Sequence, residues 1–517
     1  MQGLTSSKTP RAASKAIVLM VVGMTLLLAV HLCYTYPSLG NWKIPTTLPK
    51  ESSTIPNVTE QTNTQHTEQT TAQTTTTPPT PNEEEDLPCQ KLGGGEDVLV
   101  VMRTGATEIK DKLPAHIATS FKCYPNSIIL SDYAEDFHGH KVHDVLSAIS
   151  PDLKHSHPDF SLWRRLRAHG REALDDSELS GAVSRESGAT GKVENEGWRL
   201  DKWKFLPMAA RALDLHPDKK WYVFVEPDTY LVWSNLLAWL QRLDASEPLY
   251  YGSEVQIDKD IFAHGGSSFV ISNPALKRVA ALYKENAADW HALTSAHWAG
   301  DCILGKALAE SGTPLTWTWP MIQGGNPNTM DFAETKQHRD SLWCAPALSY
   351  HHLSPPEITS LFAFEQDWLR SVQRHQQQSN QPQQQRRSGG STISRRQQVE
   401  QQQPLHHRDV FQHYIHPQIA SKPQRENWTN LSPDLRAGTQ GSSLDECKGM
   451  CESARECVQY AVSEMGCWFS QEVKIGRPAE GGEEGVWAAG WLEEKVGAWA
   501  EGRHGVCGTR VGGWTVT

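Results

Sequence analysis

Three short apolar runs, each closing on a polar or acidic residue, constrain this chain more than any other feature. They are "DVLVVMRT" (Asp97–Thr104), "SIILSD" (Ser127–Asp132) and "WYVFVEPD" (Trp221–Asp228). All are too short for typical core helices, and turn residues bound them, so they read as buried strands. Helical spacing falls between and after them, in "LDKWKFLPMAARAL" (Leu200–Leu213) and "NLLAWLQRL" (Asn235–Leu243). Strands alternating with helices predict an α/β layer with a mostly parallel sheet. Ligands of such sheets sit beyond the strands' C-terminal edge. Thr104, Asp132 and the pair Glu226/Asp228 fall at that edge.

The third run ends in Glu226-Pro227-Asp228. Pro-Asp is ordinary turn chemistry. Two carboxylates one residue apart also offer hard oxygen ligands to a divalent ion. Three later stretches carry the same double reading. In "HGGSSFVIS" (His264–Ser272), Gly265 and Gly266 form a plain turn or let backbone approach a ligand. In "HWAGDCILGKAL" (His297–Leu308), Asp301 suits the first turn of a helix, where a carboxylate complements the dipole, or it acts as a base. In "CAPALSYHHLSPPEI" (Cys344–Ile358), His351 and His352 are surface imidazoles or metal ligands.

The N-terminal part sets the expected compartment. Lys8, Arg11 and Lys15 precede an apolar stretch of 19 residues, Ala16–Tyr34, long enough to span a bilayer. The basic flank keeps its end cytosolic and puts the remainder on the lumenal side. Residues 1–15 read as a cytosolic tail, 16–34 as a signal-anchor and 35–87 as a Thr/Pro-rich stem without apolar periodicity. Residues 88–374 carry the α/β pattern, 375–404 are a Gln-rich insertion, and 405–440 extend the catalytic part. Residues 441–517 open with "CKGMCESARECVQYAVSEMGCWF", a disulfide-stapled module more than a zinc site. Beyond Cys33 nine cysteines remain, an odd number. Sequons at Asn57, Asn427 and Asn430 fit a secretory route, the last weakened by Pro433. A net charge of −11 argues against a nucleic-acid partner.

Taken in order, the strand–acid motif, "GGSSFVIS", "GDCILG" and the late "HHLSP" resemble glycosyltransferase family 31, the Fringe and core-1 β-1,3-galactosyltransferase group. "LDKWKFLPM" and "EPDTYLVWSNLLAWL" make it more similar to the fungal branch, and the final cysteines resemble a PAN/Apple module. The resemblance implies a GT-A-type fold that binds a nucleotide-sugar, with a small α+β module behind it. It implies a Golgi or other secretory-membrane enzyme moving galactose or a related hexose from a UDP-sugar to a glycan or glycoprotein, with inversion and a β-1,3 linkage. Asp228 and His351, with His352 as its rival, would hold Mn²⁺ or another divalent cation, and Asp301 would be the catalytic base. Thr104, Asp132, Lys204, Glu226, Asp228, Gly265 and Gly266 would contact the nucleotide-sugar. The family's usual Asp-x-Asp is Glu226-Pro227-Asp228 here, so the alternative is a catalytically degenerate glycan-binding protein on the same fold. Spacing does not fix disulfide connectivity. The working pairs are Cys89–Cys123 and Cys302–Cys344, with PAN-like Cys447–Cys467 and Cys451–Cys457, leaving Cys507 over.

Overall fold

The three apolar runs become neighbours in one sheet. A computed structural model describes residues 87–179, 196–336, 341–380, 403–479 and 487–503, with single residues at 485, 505, 507 and 514. The expected anchor at Ala16–Tyr34, the stem and Asn57 lie outside the described residues. Among the described residues no helix is long and apolar enough to cross a membrane.

Strand β1 (Val98–Arg103) lies parallel to β2 (Ser127–Ser131) on one side. After β3 (Glu135–Phe137), β4 (His140–Asp144) adds in parallel to β2. On its other side β1 is parallel to β5 (Trp221–Val225). The remaining strands of this half are β6 (Tyr230–Leu231), β7 (Tyr250–Gly252), β8 (Glu254–Ile257), β9 (Asp260–Ala263), β10 (Phe269–Ser272), β11 (Thr316–Trp317) and β12 (Ser349–Tyr350). The sheet runs β11-β7-β10-β5-β1-β2-β4-β3. Its central four strands are parallel, and β10 and β3 add in antiparallel sense at the flanks.

Every residue of β1 and β5 is buried, as expected for strands covered on both faces. Side chains alternate between the faces. Leu99, Val101, Tyr222 and Phe224 join the core under helices α2 (Phe205–Leu215), α4 (Asn273–Glu285) and α5 (Gly300–Glu310). Val98, Val100, Met102, Val223 and Val225 join the opposite core with α1 (Ile109–Ala118) and α3 (Trp233–Leu240). Each fully buried aliphatic side chain here stabilises the fold by about 1.5–3 kcal/mol. The register sets Met102 opposite Val225 and Arg103 opposite Leu130. Thr104, Asp132 and Glu226 therefore leave the sheet side by side.

Helix α6 (Pro355–Asn380) packs across α1. The chain then builds a second sheet from β13 (Gln424–Glu426), β15 (Asp434–Leu435), β16 (Gln459–Ser463), β17 (Gly466–Ser470) and β19 (Ala488–Trp491), all antiparallel. A separate ribbon pairs β14 (Trp428–Thr429) with β18 (Arg477–Pro478). Two of the sheet's strands come from residues before 441. Helix α7 (Leu444–Ser453) carries Cys447 and Cys451 on its buried face. Cys447 bonds Cys467, Cys451 bonds Cys457, and Cys89 bonds Cys123. Helix α8 (Glu493–Glu501) closes the module against the first half of the fold: Trp499 meets Trp343 edge-on, and Tyr230, Tyr350, Phe411, Ala461 and Trp491 share one core.

That contact corrects one expectation. Cys344 pairs with Cys507, not with Cys302. Trp343 docking on α8 carries its neighbour Cys344 to the chain's last cysteine. Cys302 faces the other way, buried against Phe262 of β9 as a free thiol.

Candidate functional site

The strand-end residues meet a loop brought in by β12. That strand pairs antiparallel with β6, setting Tyr350 opposite Tyr230 and Ser349 opposite Leu231. One step further, His351 comes against Asp228: His351 Nε2 stands 3.4 Å from Asp228 Oδ1. The chain then turns sharply at His352, whose φ of +60° lies in the left-handed region. A non-glycine residue persists there only when its surroundings hold it. Asn326 Nδ2 donates to the His352 carbonyl (3.1 Å) and to Glu357 Oε1 (3.0 Å), and Leu353 N donates to the Asp228 carbonyl (2.9 Å). The turn brings the His352 ring to 3.8 Å from that of His351, centroid to centroid. Asp228, His351 and His352 thus present three ligand atoms within 4.8 Å of one another.

Lys112 of α1 completes this corner. Its ammonium donates to Asp228 Oδ2 (3.2 Å) and Glu108 Oε2 (3.1 Å). Burial alone would raise the Asp228 carboxyl, but Lys112 and then His351 hold it well below the ordinary aspartate value. Burial pushes His352 and His116 down to about 4 and His264 to about 3, so all three are neutral near pH 7. His116 Nε2 donates to the Pro227 carbonyl (3.1 Å) and fixes the turn from behind. Asp228 Oδ1 and His351 Nδ1 are buried and make no hydrogen bond.

A second corner forms at Asp301, in the first turn of α5. Its Oδ2 accepts from Gly265 N (3.0 Å) and its Oδ1 from Cys302 N (2.9 Å). The residue is half-buried. Burial raises its pKa, and the two N–H donors and Arg103 offset only part of that. The corners meet at the two glycines. A Cβ on Gly266 would lie 2.3 Å from the His351 ring, and one on Gly265 would lie 2.9 Å from Phe205. Close approach, more than backbone freedom, is what these glycines supply.

The remaining candidates lie beneath the edge. Asp132, fully buried, accepts from Ala106 N (2.8 Å) and pairs with Lys204 Nζ (2.9 Å). Lys204 also donates to the Thr104 carbonyl (2.8 Å) and contacts Asp201 (3.4 Å). These residues join the strand ends from below. Glu226 reaches the edge of the Asp228–histidine cluster, its Oε2 3.9 Å from His351 Nε2, without being one of the three residues whose ligand atoms gather there. It pairs with Arg103, whose guanidinium also pairs with Asp201 and lies 4.3 Å over Phe205. Sequence reasoning missed Arg103, Lys112, Asp201, Asn326 and Glu357. A basic residue ending an apolar strand was the one available cue, at Arg103. A groove of about 890 Å³ opens at the opposite edge, by Val98 and Trp221, and none of these side chains lines it.

A Fringe-like family model matches residues 207–381. That window contains Glu226, Asp228, both glycines, Asp301, His351 and His352, and leaves out Thr104, Asp132 and Lys204. Glycoprotein-N-acetylgalactosamine 3-beta-galactosyltransferase 1 of Xenopus laevis is 24% identical over 203 residues, covering 36% of this chain and 56% of that protein. The chain therefore spans little more than half the length of this curated relative.

Proposed function

We propose that this chain is an inverting, divalent-metal-dependent glycosyltransferase. It moves galactose or a related hexose from a UDP-sugar to a hydroxyl of a glycan or glycoprotein, with a β-1,3 linkage. One observation carries the reading: a buried carboxyl and a half-buried one, in opposite electrostatic settings, flank a single glycine pair. The match of residues 207–381 to a Fringe-like family and the similarity to a galactosyltransferase support the reaction class.

The donor set of one carboxylate and two imidazoles fits Mn²⁺, which accepts mixed oxygen and nitrogen ligands. Two of its buried acceptor atoms, Asp228 Oδ1 and His351 Nδ1, are unused by hydrogen bonds. A bound ion supplies positive charge to a departing diphosphate. Lys112 keeps Asp228 ionised and oriented for that ion. Asp301 takes the proton of the acceptor hydroxyl as that oxygen bonds to the anomeric carbon. The bond from that carbon to the phosphate oxygen breaks, and UDP leaves. A carboxylate whose pKa is raised by burial is the stronger base for this transfer. Gly265 N and Cys302 N orient it. The proposal includes a secretory-membrane setting, anchored by Ala16–Tyr34. Four disulfides among the described residues suit an oxidising lumen.

A second reading, glycan binding without catalysis, draws on Glu226. Its pairing with Arg103 engages one of the motif's two carboxylates and leaves Asp228 as the one within the three-residue ligand cluster. Calorimetric titration of UDP into the detergent-solubilised full chain, with and without Mn²⁺, separates the two. Binding that needs Mn²⁺ and is lost in Asp228→Ala is the expected result. A folded chain that binds no UDP under either condition would overturn the transferase reading.

A further inference from the structure

Two sequons stand three residues apart, Asn427-Trp428-Thr429 and Asn430-Leu431-Ser432, and the fold treats their asparagines in opposite ways. Asn427 is the single residue between β13 and β14. It is exposed, and its φ of +50° is a left-handed conformation that asparagine adopts readily. Its carbonyl accepts from Ala479 N (2.9 Å), so the main chain is held while the side chain is free to project. The neighbouring Trp428 turns inward. Its indole N–H donates to the Ile475 carbonyl (2.5 Å), and the Arg425 guanidinium lies 4.7 Å over its ring.

Asn430 is 0% exposed. Its amide Nδ2 donates to the Tyr460 carbonyl (3.0 Å) and the Gly490 carbonyl (3.2 Å), joining β16 to β19. Its Oδ1 accepts from Ser432 N (3.3 Å) and Ser432 Oγ (2.8 Å). An amide side chain has two donor hydrogens and two acceptor lone pairs, so this one is fully used. A sugar on Nδ2 would remove one donor and fill space held by two strands. The next residue but two, Pro433, also restricts the backbone of Ser432.

We propose that Asn427 carries an N-linked glycan and that Asn430, with a sequon of its own, is a structural asparagine. In the modification, Nδ2 of Asn427 bonds to the anomeric carbon of a lipid-pyrophosphate-linked oligosaccharide. The bond from that carbon to the pyrophosphate oxygen breaks, the lipid pyrophosphate departs, and one amide proton goes to solvent. This goes beyond the transferase reading. It requires only that residues 424–432 reach the lumenal glycosylation machinery. Chains modified at Asn430 could not close the second sheet and would be missing from the folded pool.

The test uses the full chain made in a eukaryotic secretory host. Enzymatic release of N-glycans in ¹⁸O-water converts a glycan-bearing asparagine to labelled aspartate. The tryptic peptide from Glu426 to Arg436 contains both sites, and fragmentation tells them apart. The expected result is label on Asn427 and none on Asn430 in folded protein. Thr429→Ala should abolish the label and leave UDP binding unchanged. Asn430→Gln should lower the folded yield without reducing the glycan count. Label on Asn430, or an unlabelled Asn427 whether or not Asn57 is labelled, would overturn the proposal. UDP titration of the same preparation reports on the transferase reading separately, so either can fail alone.

Discussion

The corner around Asp228 and the corner around Asp301 place the same side chain in opposite settings. Burial raises a carboxyl pKa in both. At Asp228 the Lys112 ammonium and His351 override it and hold the group well below the ordinary aspartate value. At Asp301 two main-chain N–H donors and Arg103 do not, and the value stays above the ordinary one. Under the proposed transferase reading, two carboxyls driven apart in pKa within one site would divide the labour between holding charge and moving a proton. What separates them is the cation each can reach. Lys112 touches Asp228 directly, whereas Arg103 is already engaged by Glu226 and Asp201.

The division predicts different failures. Asp301→Asn should lower turnover by about 10²- to 10⁴-fold, the usual worth of a positioned base, with Mn²⁺-dependent UDP affinity unchanged. The wild-type pH profile adds a check. With Asp301 as the proposed base, transfer would need it unprotonated, and its pKa is raised, so activity should fall with acid through a value above that of an ordinary aspartate. An acid limb at the ordinary aspartate value would remove Asp301 from the role. Gly266→Ala should act on the other corner. A methyl pressed into the His351 ring should weaken Mn²⁺-dependent UDP binding by about 10- to 100-fold, the range seen when a ligand's support is disturbed. Gly265→Ala should instead press on Phe205 and lower turnover. Identical kinetic defects in the two alanine variants would mean the corners are not separate. The mildest change should be Glu226→Gln, with about 1–2 kcal/mol lost in a denaturant melt as Arg103 keeps Asp201 but loses a charged partner. Loss of metal affinity equal to that of Asp228→Ala would make Glu226 a ligand after all.

The sequence disclosed the strands that matter because they are buried on both faces and so read as unbroken apolar runs. It also disclosed Asp301 and the glycines, because a helix's first turn and a Gly-Gly before an apolar run are local patterns. The second-sheet cysteines on α7 were readable from their i, i+4 spacing. Lys112 was not readable. In "EIKDKLPAH" it looks like any lysine on a polar helix, and it is buried only because α6 packs over α1. Asn326 was hidden for the same reason: it holds the left-handed turn at His352, 26 residues away, and Glu357, the carboxylate that fixes its amide, lies 31 residues away. The Cys344–Cys507 pair accompanies Trp343, in a short helical turn, meeting Trp499 of α8, a long-range contact that no spacing encodes.

That last bond has a practical side. It closes a covalent ring spanning 163 positions of sequence, and the Gln-rich segment 381–402 lies inside the ring. A protease cutting there would produce a two-chain molecule with every strand and both corners retained. On a gel such material would run as one band until a thiol reagent opened the ring, so a clipped preparation could pass for an intact one.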